Sequence, residues 1–138
     1  MCGISGIFNF SGKNISSKNL LEKIINFQNK RGPDNKDLWC SEDRKIYLGH
    51  NRLSIIDLSK DANQPFVSKD KNFVITFNGE IYNYKEIKKE LEVRNINFNS
   101  NSDTEVIIEA YKLWGLESLN KLRGMFSFAI YDISKKKL

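Results

Sequence analysis

Asn72-Phe73-Val74-Ile75-Thr76-Phe77-Asn78, running on into Gly79-Glu80-Ile81-Tyr82-Asn83, sets the fold class of this chain. Five successive apolar or β-branched residues from Phe73 to Phe77 read as a strand buried on both faces. Asn78-Gly79 is a sharp turn signal, so the strand is expected to end there. Asn83 and Glu86 have capping-box spacing and open a helix over residues 83–93, with Tyr84, Ile87 and Leu91 on one face.

The same alternation of elements extends outward in both directions. Downstream, Ser102-Asp103-Thr104-Glu105 is a second capping box, and Val106, Ile107, Ala110, Tyr111 and Trp114 follow it at helical spacing. Residues 116–122 read as a short helix and 125–133 as a strong strand, followed by a turn at Lys135-Lys136-Lys137. Upstream, residues 61–65 read as a loop, and short strands are expected near 37–40 and 45–49. Leu20, Leu21, Ile24, Ile25 and Gln28 keep helical spacing after a serine pair, Ser16-Ser17, able to cap. That helix should stop before the turn signal Arg31-Gly32-Pro33-Asp34. Residues 3–10 are apolar with two glycines and read as a buried strand. Strands and helices interleave irregularly, and the near-continuous apolar strands imply sheets covered on both faces. The expected class is α+β, a layered sandwich rather than a doubly wound sheet. No G-x-G-x-x-G or G-x-x-x-x-G-K-[ST] loop points to a nucleotide fold.

Composition narrows the function. The 138 residues suit one domain, are 40% hydrophobic and 28% charged, and carry a net charge of +5. A chain of this length buries roughly two-thirds of its unfolded surface, so it needs no disulfide framework. Two distant cysteines and a single histidine cannot build the usual zinc set. Cys40 reads as a small, half-buried strand residue. The lysines are dispersed and no nucleic-acid-binding signature accompanies them, so the charge reads as a solvated face. No apolar run approaches the length of a membrane span, and the N-terminus lacks a secretory pattern. A cytoplasmic location is the default.

Cys2 directly follows the initiator methionine, in Met1-Cys2-Gly3-Ile4-Ser5-Gly6-Ile7-Phe8. Removal of Met1 would leave one residue with both a thiol and a free α-amino group. A thiolate is a strong nucleophile, and an amine with an ordinary pKa of about 7.7–8.0 can take its proton. This is the arrangement of an N-terminal nucleophile. Read alone, the same residue is more simply an ordinary small residue near a chain start.

Four further clusters stand beside it: Gly49-His50-Asn51-Arg52-Leu53-Ser54-Ile55-Ile56-Asp57 with Asn63-Gln64-Pro65-Phe66; Phe77-Asn78-Gly79-Glu80-Ile81-Tyr82-Asn83; Ser102-Asp103-Thr104-Glu105; and Leu122-Arg123-Gly124-Met125-Phe126-Ser127-Phe128-Ala129-Ile130-Tyr131-Asp132. With Met1-Cys2-Gly3-Ile4 and Arg31-Gly32-Pro33-Asp34, the ordered set closely resembles the glutaminase domain of glutamine-hydrolysing asparagine synthetases. These are class II glutamine amidotransferases with an N-terminal-nucleophile hydrolase fold, an αββα sandwich of mostly antiparallel sheets. The resemblance runs from Met1 to Asp132. It implies one glutaminase domain over residues 1–138, C-terminally incomplete, and a synthetase domain beyond it.

The resemblance also implies roles. Cys2 would attack the side-chain amide of L-glutamine and form a thioester. Asn78 and Gly79 would hold the oxyanion. Arg52 would take the α-carboxylate as a guanidinium fork, with the backbone of Leu53, Ser54, Ile55 and Ile56 lining the same pocket. Glu80 and Asp103 would accept from the α-ammonium. His50 is assigned no catalytic part, although a Cys–His pair would make another kind of nucleophile. No cofactor is expected in the glutaminase half; ATP and Mg²⁺ would belong to the synthetase domain, and the full-length enzyme would form a homodimer. Other readings of the residues are a hairpin turn at Asn78-Gly79, a helix cap at Asp103 and a surface ion pair for Arg52 and Glu80. Other whole-chain readings are a glutamine-binding regulatory module, a sugar- or polysaccharide-modifying relative, and a basic nucleic-acid-binding module.

Overall fold

The computed structural model describes residues 2–10 and 17–138. Met1 and the expected cap Ser16 lie outside them. The elements are β1 (Gly3–Phe8), α1 (Ser17–Phe27), β2 (Asn35–Cys40), β3 (Ile46–Arg52), β4 (Phe66–Val67), β5 (Phe73–Ile81), α2 (Tyr84–Glu92), α3 (Asp103–Trp114) and β6 (Gly124–Asp132). Two antiparallel sheets result, ordered β1-β3-β2 and β4-β5-β6.

The period of two in β3 builds the layers. Tyr47 and Asn51 face α1: Tyr47 packs with Leu21 and Ile25, and Asn51 Nδ2 donates to Ile25 O at 3.0 Å. Ile46 and Leu48 face the second sheet and pack on Val74 of β5 and Tyr131 of β6. Two hydrogen bonds tie the central strands together, Thr76 Oγ1 to Gly49 O at 3.1 Å and His50 Nε2 to Phe77 O at 3.0 Å. The far face of β5 (Ile75, Phe77, Ile81) packs on Ile87 and Leu91 of α2 and on Val106, Ile107 and Ala110 of α3. The order is helix, sheet, sheet, helix, and the α+β layered class expected from the sequence is the class observed. Each fully buried aliphatic side chain stabilises it by about 1.5–3 kcal/mol.

Several local expectations are corrected. Asn78-Gly79 is not a turn: β5 continues to Ile81, with Asn78 opposite Ser127 and Gly79 opposite Phe126. The nine-residue ladder with β6 outweighs the local turn preference. Coverage of the sheets is uneven. All of β3 is buried, but β1 and β6 have one strand neighbour each, and Phe8 and residues 124–127 are exposed. The strand expected over residues 3–10 ends at Phe8, and Phe10 is exposed.

The capping boxes are also only half realised. The Asn83 side chain does not cap α2; it bridges Lys121 O and Arg123 N, while Glu86 pairs with Arg123. Ser102 does cap α3, accepting from Glu105 N, but the Glu105 carboxylate turns to the N–H groups of Asn99 and Ser100. Residues 60–62 and the expected short helix near 116–122 are 3₁₀ segments, Lys60–Ala62 and Gly115–Lys121. The lysine turn closes with a bridge between Asp132 and Lys137.

Candidate active site

The inter-sheet face of β3 ends at Arg52, and that of β5 runs out through Asn78. Beside them is Cys2, because Gly3 of β1 pairs with Asn51. A pocket of about 200 Å³ opens here, lined by Cys2, Arg52, Leu53, Ile55, Ile56, Asp57, Gln64, Asn78, Gly79, Glu80 and Asp103 among others. Its size suits a molecule the size of one amino acid. Every expected site residue except Ser54 lines it. Ser54 instead donates its N–H to Asp34 Oδ2 at 2.7 Å. His50 is fully buried between the sheets and does not line the pocket. Burial lowers its pKa to about 4, with the nearby Arg52 charge adding to the effect, so the ring is neutral and donates Nε2–H to Phe77 O. A larger cleft of about 380 Å³ between β1 and Ala129 contains none of the candidates.

Cys2 is held from two sides. Leu53 N–H donates to its Sγ at 3.3 Å, and the Sγ lies 3.6 Å from Leu53 O. Arg31 Nε donates to Cys2 O at 3.2 Å. The Arg31-Gly32-Pro33-Asp34 turn thereby acquires a task that its turn chemistry did not reveal. Arg31 grips the nucleophile candidate, and Asp34 joins Arg52 O through its own N–H and Ser54 N–H through its carboxylate. Gly32 is needed between them, since a Cβ there would lie 2.7 Å from Arg52 C and closer still to Asn51 O.

Arg52 is buried, and its contacts differ from those of a free fork. Nη1 donates to Ser59 O and Asn63 Oδ1, each at 2.7 Å, and Nη2 donates to Asp57 O. Three of its five N–H groups thus shape the 53–63 loop. The Asp57 carboxylate fastens that loop to the start of α3 by accepting from Asn101 N at 2.8 Å. Burial works against its charge, but hydrogen bonds from Ser59 and Asn101, with Arg52 nearby, hold its pKa below the usual carboxylate value.

The edge of β5 carries the most specific geometry. β4 is two residues long and pairs only with Val74 and Ile75. In an antiparallel ladder alternate residues point their N–H groups to opposite neighbours, so Phe77, Gly79 and Ile81 all turn toward the side β4 has left. Phe77 N–H is taken by Gln64 Oε1 at 2.6 Å, and Ile81 N–H by Asp103 Oδ2 at 3.1 Å. Gly79 lies between them with φ +152°, and a Cβ there would sit 2.6 Å from Phe126 Cα. Glycine alone fits both the angle and the approach. Asn78 Oδ1 is buried without a partner among the described residues. Burial raises the Asp103 pKa, the Glu80 charge adds to this, and N–H groups of Ile81, Asp103 and Thr104 oppose it.

The arrangement defines a class: a thiol-bearing pocket of amino-acid size with carboxylates and one guanidinium in its lining. Comparison with known proteins agrees. A family model described as "Glutamine amidotransferase domain" matches residues 1–138, and the chain belongs to that family of glutaminase-like enzyme domains. The chain is 39% identical over 134 residues to the glutamine-hydrolysing asparagine synthetase 1 of Bacillus subtilis (96% of this chain, 21% of the relative). It is 36% identical over 135 residues to asparagine synthetase B of Escherichia coli (98% and 24%). It is 37% identical over 147 residues to amidase chry2 of Gibberella zeae (100% and 22%). The chain therefore spans about a fifth to a quarter of the length of these relatives. No helix among the described residues is long and apolar enough to cross a membrane.

Proposed function

We propose that the chain is an N-terminal-nucleophile glutaminase domain that hydrolyses L-glutamine to glutamate and ammonia. The observation that carries this reading is the convergence of Cys2, Arg52, Asn78, Gly79, Glu80 and Asp103, from separate segments, on one pocket of amino-acid size. The helix–sheet–sheet–helix order supports the αββα fold.

After removal of Met1, the Cys2 α-amine takes the thiol proton. Sγ then bonds to the side-chain amide carbon of glutamine, and the carbonyl becomes an oxyanion. Gly79 N–H, turned to the uncovered side of β5, and the Asn78 amide are the donors for it. The carbon–nitrogen bond breaks, the proton held by the amine goes to the leaving nitrogen, and ammonia departs. Water gives a proton to the Cys2 amine as it adds to the γ-glutamyl thioester, Sγ leaves as the thiolate, and the new carboxyl ionises as glutamate is released. Arg52, with two N–H groups beyond those given to the loop, takes the substrate α-carboxylate. Glu80 and Asp103 accept from the α-ammonium, whose charge offsets the burial that disfavours the Asp103 carboxylate. Leu53, Ile55 and Ile56 wall the aliphatic part.

In the longer protein, ammonia would pass to a synthetase domain that uses ATP and Mg²⁺ to convert aspartate to asparagine. The glutaminase step itself needs no cofactor, and the protein would work in the cytoplasm as a homodimer. The similarity to a relative named as an amidase supports a second reading, the same hydrolysis in a protein that makes no asparagine. Steady-state glutamate release by the wild type and by Cys2→Ala tests the domain's reaction. Release by the wild type only is expected; glutamine binding without turnover by the wild type would make this a sensing module instead.

A further inference from the structure

We propose that Gln64 is a positioning residue that stands in for the missing length of β4 and fixes the Asn78-Gly79 backbone relative to α3. The inference rests on the glutaminase reading and extends it to a residue outside the substrate and nucleophile set. Beyond Ile75, β5 has no strand on the β4 side. The first N–H left over is that of Phe77, immediately before Asn78. Gln64 is buried, and its Oε1 receives that N–H at 2.6 Å. Because Oε1 must be the acceptor there, the amide orientation is settled, and Nε2 donates to Thr104 Oγ1 at 3.1 Å. Thr104 follows Asp103, whose carboxylate receives Ile81 N–H two residues beyond Gly79. His50 holds the carbonyl of the same Phe77. Phe77, the residue before Asn78, is thus pinned at both its N–H and its C=O. One amide side chain spans from the oxyanion segment to the helix that carries an ammonium acceptor.

Gln64→Leu keeps the bulk and removes both bonds; Gln64→Met carries the same test if the branched side chain does not fold. Gln64→Glu keeps an acceptor for Phe77 N–H and can receive the Thr104 hydroxyl. In the full chain, kcat for glutamine should fall about 10²-fold in Gln64→Leu, the usual consequence of misplacing reacting groups by about 1 Å, with KM moving much less. Gln64→Glu should recover most of it. Alkylation of Cys2 by iodoacetamide should keep its wild-type rate, and amide hydrogen exchange at Phe77 should accelerate while Ile75 stays protected. Unchanged kcat in Gln64→Leu, equal loss in Gln64→Glu, or unaltered exchange at Phe77 would each overturn the role. A wild type without glutaminase activity would overturn the functional reading instead, and the exchange at Phe77 would still decide whether Gln64 positions this backbone.

Discussion

Replacing Gly79 with alanine probes the proposed oxyanion segment most sharply. The added Cβ would lie 2.6 Å from Phe126 Cα and 2.8 Å from Phe126 Cβ, and closer still to the Met125 carbonyl oxygen. Ordinary contact begins near 3.4 Å. Two of these neighbours are backbone atoms of β6 that cannot rotate away, so β5 and β6 must part at this rung by about 1 Å, a displacement that typically costs about 10² in rate. Complete loss of the Gly79 donor would cost about 2.7–4 kcal/mol of transition-state stabilisation. The expected fall in kcat is therefore about 10²–10³-fold. KM should change much less, because in the proposed binding mode Arg52, Glu80 and Asp103 hold the other end of glutamine. The strained φ adds about 1–3 kcal/mol of instability, visible as a lower melting temperature. Steady-state glutamate release and a thermal melt on the same sample provide both readouts. A Gly79→Ala variant with wild-type kcat would refute the assignment of this backbone as an oxyanion donor.

Two further outcomes follow from the buried groups. His50 is neutral in the fold with a pKa of about 4 against 6.5 unfolded. The unfolded chain therefore binds its proton first as the pH falls, and stability present above about pH 6.5 is lost down to about pH 4, by roughly 3 kcal/mol. His50→Gln should flatten that part of the melting-temperature profile while retaining most activity; an unchanged profile, or near-total loss of activity, would contradict this. Asp103→Asn keeps an acceptor for Ile81 N–H but removes the charge proposed to face the substrate ammonium. It should raise KM by an amount worth about 1.5–3 kcal/mol and spare kcat, whereas an unchanged KM in glutamine titrations would remove Asp103 from the binding set.

The sequence was most legible where local pattern and long-range packing agree. The helices α1, α2 and α3 and the strands β5 and β6 lie close to where apolar spacing puts them. Legibility failed where a distant partner outbids a local preference. Asn78-Gly79 carries a turn signal, but its neighbours are claimed by β6 across nine rungs. Asn83 has the position of a cap, but its amide is used 38 and 40 residues away, at Lys121 and Arg123. The pocket wall was readable because its residues sit in recognisable clusters. The supporting contacts were not. Nothing local says that Arg31 holds the Cys2 carbonyl, that Arg52 spends three N–H groups on its own loop, or that Gln64 replaces a strand. Those contacts depend on where β4 stops and on how the 53–63 loop folds back.

The central claim is that the free amine of Cys2 activates its own sulfur. Intact-mass analysis after exposure to the glutamine-analogue electrophile 6-diazo-5-oxo-norleucine measures this directly, comparing chains that begin at Cys2 with chains engineered to keep Met1. The expected result is a single adduct, located on Cys2, in the processed chain and none in the Met1-bearing chain over the same time. Labelling of the Met1-bearing chain at an equal rate, or an adduct on Cys40 in place of Cys2, would contradict it.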